Sequence, residues 1–121
     1  MFLKLNHQKL DIYTFSRAFV LECYKLTKIL PADEKFGMIS QIRRAALSIH
    51  LNIAEGASRR SHIERVRYYE IARGSIIEID AALDIAIDLG YLSSYDSQKL
   101  GELMINTFKL LSGLITSTSS K

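Results

Sequence analysis

The chain has 121 residues, with 16 Lys and Arg against 13 Asp and Glu, a net charge of +3, 48% hydrophobic side chains and one cysteine. That length suits one domain able to bury about two-thirds of its unfolded surface, and a lone cysteine excludes an internal disulfide. No apolar run approaches the ~18 residues of a membrane span, and the opening MFLKLNHQKLD lacks the apolar core and cleavage site of a signal peptide. A cytoplasmic protein without membrane contact is expected.

In chain order, the first helix is predicted over about 11–29, with Ile12, Phe15, Phe19, Cys23, Leu26 and Leu30 on one face. Tyr13, Val20, Leu21 and Tyr24 make its other side more apolar than solvent requires. Together with Leu47 and Leu51 of the next helix, they read as a subunit or partner surface. Pro31 ends the first helix, because proline cannot continue the hydrogen-bond ladder. The second helix is predicted over 33–56, with Asp33 and Glu34 at its positive N-terminus and Gly56 as a left-handed cap. Ile39, Ile42, Ala46, Ile49 and Ile53 form its core face.

Residues 57–60 make a basic corner, and Ser61 with Glu64 offers a capping box for a third helix over 62–89. Its core face carries Val66, Tyr69, Ala72, Ile76, Ile79, Leu83 and Ala86. Gly74 interrupts it at a cost of about 1 kcal/mol against Ala, as expected where another helix approaches closely. A fourth helix is predicted over 94–115, followed by a frayed tail at 116–121. Four helices with short connections imply an all-α, antiparallel, up-down-up-down bundle spanning 1–121 as one domain.

Charge is unevenly spread along the chain. Residues 43–73 hold seven arginines against three glutamates, a surplus of +4, whereas residues 78–102 hold six acids against one lysine, or −5. Guanidinium groups suit phosphate oxygens, so Arg43, Arg44, Arg59, Arg60, Arg65 and Arg67 form a candidate nucleic-acid surface. Pairing of these arginines with acids of the third helix, or of a neighbouring subunit, is the competing reading.

A second stripe of small and polar residues runs beside the core. Ser48, Asn52 and Glu55 on helix two, with Arg73, Gly74, Ser75 and Glu78 on helix three, can either line a site or fix helix register as a buried network. Buried polar groups must find partners, which favours the network and predicts that Glu55 or Glu78 contacts Arg73.

No catalytic chemistry is legible. None of the residues three positions after a glutamate is histidine, so the Glu-x-x-His metal motif of bundles is missing. His7, His50 and His62 lack metal-ligand spacing, the glycines form no phosphate loop, and Cys23 sits on a core face. A non-enzymatic chain without metal or cofactor is expected.

The string Ser48-x-x-x-Asn52-Ile53-Ala54-Glu55-Gly56, then Arg59, then Tyr69-x-x-Ala72-Arg73-Gly74-Ser75-x-x-Glu78 resembles the four-helix-bundle proteins encoded in intervening sequences of bacterial 23S ribosomal RNA genes. Leu30-Pro31-x-x-Glu34-x-Phe36-Gly37 and Leu89-Gly90-Tyr91-Leu92 extend the likeness over most of the chain. Accessory proteins of diversity-generating retroelements belong to the same group. The resemblance implies a ring-shaped homopentamer and association with RNA or DNA, with a reverse transcriptase as a further partner in a retroelement setting. Because the basic surplus is small, assembly must multiply the corner to make a binding surface. A protein-interaction scaffold without nucleic acid is the alternative.

Overall fold

The computed structural model of the protein describes residues 2–120. Its regular elements are helices: α1 Asp11–Thr27, α2 Met38–Ala57, α3 His62–Asp88 and α4 Gln98–Ser119, with 3-10 turns at Asn6–Lys9 and Ala32–Glu34. No strand occurs among the described residues, and the arrangement is consistent with a four-helix bundle. Packing neighbours are α1–α2, α2–α3, α3–α4 and α4–α1, which closes the four helices around one core.

That core contains Phe19, Cys23 and Leu26 of α1, Ile42, Ile49 and Ile53 of α2, Ile76, Ile79 and Leu83 of α3, and Leu111 of α4. The three- and four-residue spacings put each set on one helix face, and every large side chain fully withdrawn from water contributes roughly 1.5–3 kcal/mol. Burial pushes the Cys23 thiol up to about 12, with Glu22 adding to the shift, so it is an inert core group.

The most extensive contact is α2 on α3. Small residues allow it: Ala45, Ser48, Asn52 and Gly56 lie along one side of α2, and Ala72 and Ser75 along the facing side of α3. Ala45 and Ala72 are buried, and the Ser75 hydroxyl meets the Ser48 hydroxyl at 3.2 Å. Gly56 is buried inside α2 and is not the expected left-handed cap. A Cβ there would meet the Tyr68 Cβ and the Tyr69 ring at 2.9 Å. Its lack of a side chain is used for close approach, and Gly90, with φ at 77°, is the left-handed closure that ends α3.

Three other boundaries differ from expectation, each for a local reason. Helix α2 starts at Met38, where the Glu34 carboxylate accepts the Met38 amide at 3.3 Å while residues 32–34 tighten into a 3-10 turn after Pro31. Helix α4 starts at Gln98, because the Tyr91 and Tyr95 hydroxyls anchor the connection to Glu34 at 3.0 Å and Glu22 at 2.9 Å. The Asp96 carboxylate then accepts the Gln98 amide at 3.1 Å. Residues 116–119, expected to fray, are helical: Thr118 extends the inward face of Leu111 and Ile115 and is buried. Lys121 lies outside the described residues.

Gly56→Ala is expected to destabilise the protein by about 1–3 kcal/mol, since two adjacent tyrosines must move to admit one methyl group. Gly113→Ala, in a helix with open space at the same atom, is expected to be neutral or stabilising by up to about 1 kcal/mol. Urea denaturation of both variants checks the contrast, and equal effects would contradict the tight seam.

Candidate nucleic-acid interface

The basic corner is built by backbone chemistry before any charge is considered. Helix α2 ends at Ala57, and the Ser61 hydroxyl accepts the Glu64 amide at 3.4 Å to open α3. The Arg65 guanidinium reaches back and donates to the Arg59 carbonyl, closing the turn. Arg59 pairs with the Glu55 carboxylate and donates to the Tyr68 hydroxyl at 3.1 Å, its guanidinium lying 5.0 Å from the Tyr68 ring centre. Tyr68 and Glu55 hold that guanidinium charge, raising its affinity for the proton. Arg59 and Arg65 are thus occupied with holding the corner in shape.

Beyond Arg59 and Arg65, the other four arginines proposed from sequence separate into three groups. Arg43 donates to the Thr27 hydroxyl at 2.8 Å and lies 5.0 Å from the Tyr24 ring centre, tying α2 to α1. Arg44 is exposed on the far side of α2 from the core, 13 residues before the helix ends at Ala57, or roughly 20 Å along it. Arg60 and Arg67 are exposed near the corner, and among the described residues neither makes a side-chain hydrogen bond or ion pair. Arg67 shares a recess of about 350 Å³ with Arg59, Glu64, Tyr68 and Ile71. Near the corner, the arginines without a side-chain partner among the described residues are therefore Arg60 and Arg67.

The expected polar network is only partly formed. Asn52 donates to the Ser48 carbonyl at 2.8 Å and to its hydroxyl at 2.9 Å, and Ser75 joins through the same hydroxyl. Arg73 contacts neither Glu55 nor Glu78. It reaches across to the Ser112 hydroxyl of α4 at 3.4 Å, while Glu55 serves Arg59 and Glu78 is exposed. Seven residues on two 100°-per-residue helices cannot all turn inward: Glu78 follows Ser75 by three positions, but Gly74 and Glu78 lie on the side of α3 facing away from the core. Among the described residues, nothing beyond the backbone of α3 itself lies within 4 Å of where a Gly74 Cβ would sit.

The 23S rRNA-intervening sequence protein family matches residues 8–113. The chain belongs to this family. A solved structure of a protein of unknown function from the S23 ribosomal protein family, from Bacteroides thetaiotaomicron, is similar with a TM-score of 0.77 and 25% identity, covering 87% of this chain and 95% of the other. No curated protein matches.

In this family member, the apolar surface expected on α1 and α2 is exposed only in part. Val20 is buried, Tyr24 lies under Arg43, and Tyr13 stacks on His50 at 4.3 Å between ring centres. Only Leu21, Leu47 and Leu51 of that set remain exposed. The larger exposed apolar face is on α3, where Ile63, Ile71, Ile77 and Ile85 are 83%, 46%, 55% and 53% exposed around Gly74. A signal was available: α3 carries isoleucines at positions that no single helix face can hold, so one face is left without a partner inside the chain.

One serine and one histidine distant in sequence do meet. Ser16 Oγ lies 2.7 Å from His50 Nδ1 and 3.1 Å from the Tyr13 carbonyl. Ser16 has no exposed surface, so it joins α1 to α2 and cannot reach a substrate. Burial, then the charges of Arg17 and His7, holds the His50 ring below its ordinary value of 6.5. The unfolded chain therefore binds the proton more readily than the folded one. The resulting stability is present above about pH 6.5 and is lost as pH falls toward the lowered folded value. Denaturant midpoints measured between neutral and mildly acidic pH should decline for the natural chain, and His50→Gln should flatten that decline.

Proposed function

We propose that this chain is a non-enzymatic cytoplasmic helical bundle that self-assembles through the outer face of α3 and binds nucleic-acid phosphates at the repeated basic corners. The observation that carries it is α3 itself, apolar on two opposite sides, with a glycine at mid-length on the side this chain leaves uncovered. Four isoleucines facing water around Gly74 favour a second helix there.

Antiparallel, up-down-up-down order is part of the proposal. It is supported by pairings that run in opposite senses along neighbouring helices: Ser48 with Ser75 and Gly56 with Tyr69 on α2 and α3, and Thr27 with Arg43 and Ser16 with His50 on α1 and α2. A homopentameric ring is the assembly implied by the family resemblance. In such a ring, Arg60 of each copy recurs at a fixed spacing, with Arg67 at the corner end of the α3 contact between Ile63 and Ile71, and cations too few for one protomer add up. The likeness to retroelement accessory proteins supports a nucleic-acid partner, with a reverse transcriptase beside it in that setting.

A second reading, an interaction scaffold without nucleic acid, is favoured by the structural roles of Arg43, Arg59 and Arg65, which leave few cations free. Titration with structured RNA and with duplex DNA separates the two. Contacts from one corner alone, on the order of two phosphates, lower affinity roughly tenfold between about 50 and 200 mM salt, whereas 6–10 contacts lower it by about 10³–10⁵. The steep dependence is expected for the natural chain, the shallow one for Ile71→Glu with Ile77→Glu, and no binding for Arg60→Glu with Arg67→Glu. Absence of binding by the natural chain at low salt would leave only the scaffold.

A further inference from the structure

Between α3 and α4 runs an apolar groove. One section of about 280 Å³ is floored by Ile76, Met104 and Phe108, and a second of about 470 Å³ continues toward Gly90 and Ser97. Asp80 and Met104 line both sections, so the two adjoin. Asp80 and Asp84 stand along it, within the stretch of the chain that carries the acidic surplus, and Lys109 borders the first section at the end away from Asp84.

A short exposed apolar segment lies at the opposite end of the sequence. Phe2, Leu3 and Leu5 are exposed, Phe2 at 99%, and Lys4 stands among them. The segment leads into the 3-10 turn at Asn6–Lys9, and Leu5 with His7 lines a recess on the outer side of α2 beside Glu55 and Ser58. It therefore sits at the corner end of the helices, on the α1–α2 side, away from the α3–α4 groove. From Leu5 to Phe2 the chain spans about 10 Å, while axes of packed helices stand ~8–10 Å apart, so two helix widths exceed its reach. The groove of the same chain is out of range.

We propose that Phe2–Leu5 of one copy docks in the α3–α4 groove of a second copy, with Phe2 and Leu3 on the apolar floor and Lys4 beside Asp80 and Asp84. Charge supports this occupant: the segment lies at the basic end of its own chain, and the groove belongs to the acidic part of its neighbour. Setting basic end against acidic side is a head-to-tail contact between two different surfaces, the kind that closes into rings when the rotation permits. The groove shares Ile77 with the outer face of α3, so segment and helix face form one continuous contact. The inference rests on the self-assembly proposed above and names the element that clasps the neighbour.

Single-cysteine exchange tests it on the full chain. One preparation carries Leu3→Cys and the other Ile105→Cys, both at exposed positions where the fold is not at stake, while the buried Cys23 thiol stays unreactive. After subunit exchange and mild oxidation, the mixture should give a disulfide-linked pair of chains that neither preparation gives alone. Adding Lys4→Glu to the first preparation should lower the yield several-fold, and Asp80→Lys with Asp84→Lys in the second should restore it. Native mass spectrometry of the unmodified chain distinguishes the two levels of failure. A multi-chain particle without the cross-link overturns the docking and leaves self-assembly standing, whereas a single-chain particle overturns both.

Discussion

The contact on which the rest depends is the seam of small side chains between α2 and α3. Ala45, Ser48, Asn52 and Gly56 let the two helices approach until the Ser48 and Ser75 hydroxyls meet and the Tyr68 and Tyr69 side chains close over Gly56. Larger residues would separate the helices and change how α3 is rotated. With the seam closed, the inward turn of Tyr69, Ala72, Ile76, Ile79 and Leu83 leaves Ile63, Ile71, Ile77 and Ile85 facing water. The same closure fixes the corner, because only a short turn stapled by Arg65 joins helices so near each other.

Much of this was legible in the sequence. Three- and four-residue apolar spacing located every helix, Ser61 marked the start of α3, and the four-helix packing followed from short connections. Boundaries were lost where side chains far apart in sequence take over capping. Tyr95 meeting Glu22 delays α4, and nothing near residue 94 announces that bond. The tail was misread because Thr and Ser look like loop residues, yet Thr118 lies one turn beyond Ile115 and is covered by the core. Gly56 and Gly74 both stand in helices, and only coordinates separate the one pressed against Tyr69 from the one open to solvent.

The candidate site was legible in kind and only partly in membership. Arginine content identified the corner, but spacing does not reveal that Arg43 belongs to Thr27 and Tyr24, or that Arg59 and Arg65 shape the turn itself. Arg73 was expected beside a carboxylate and instead reaches Ser112, because Glu55 is held by Arg59 four residues away. Paired charges on a solvated turn contribute little to stability, so the corner arginines matter by where they hold Arg60 and Arg67.

That makes a second use of α3, by another copy, the claim on which the functional reading stands. Sedimentation equilibrium of the natural chain over a wide dilution series measures it most directly. The account predicts a particle of several times the 13.7 kDa chain mass, five copies if the family resemblance carries over, persisting on dilution. A mass of 13.7 kDa at every concentration would contradict it.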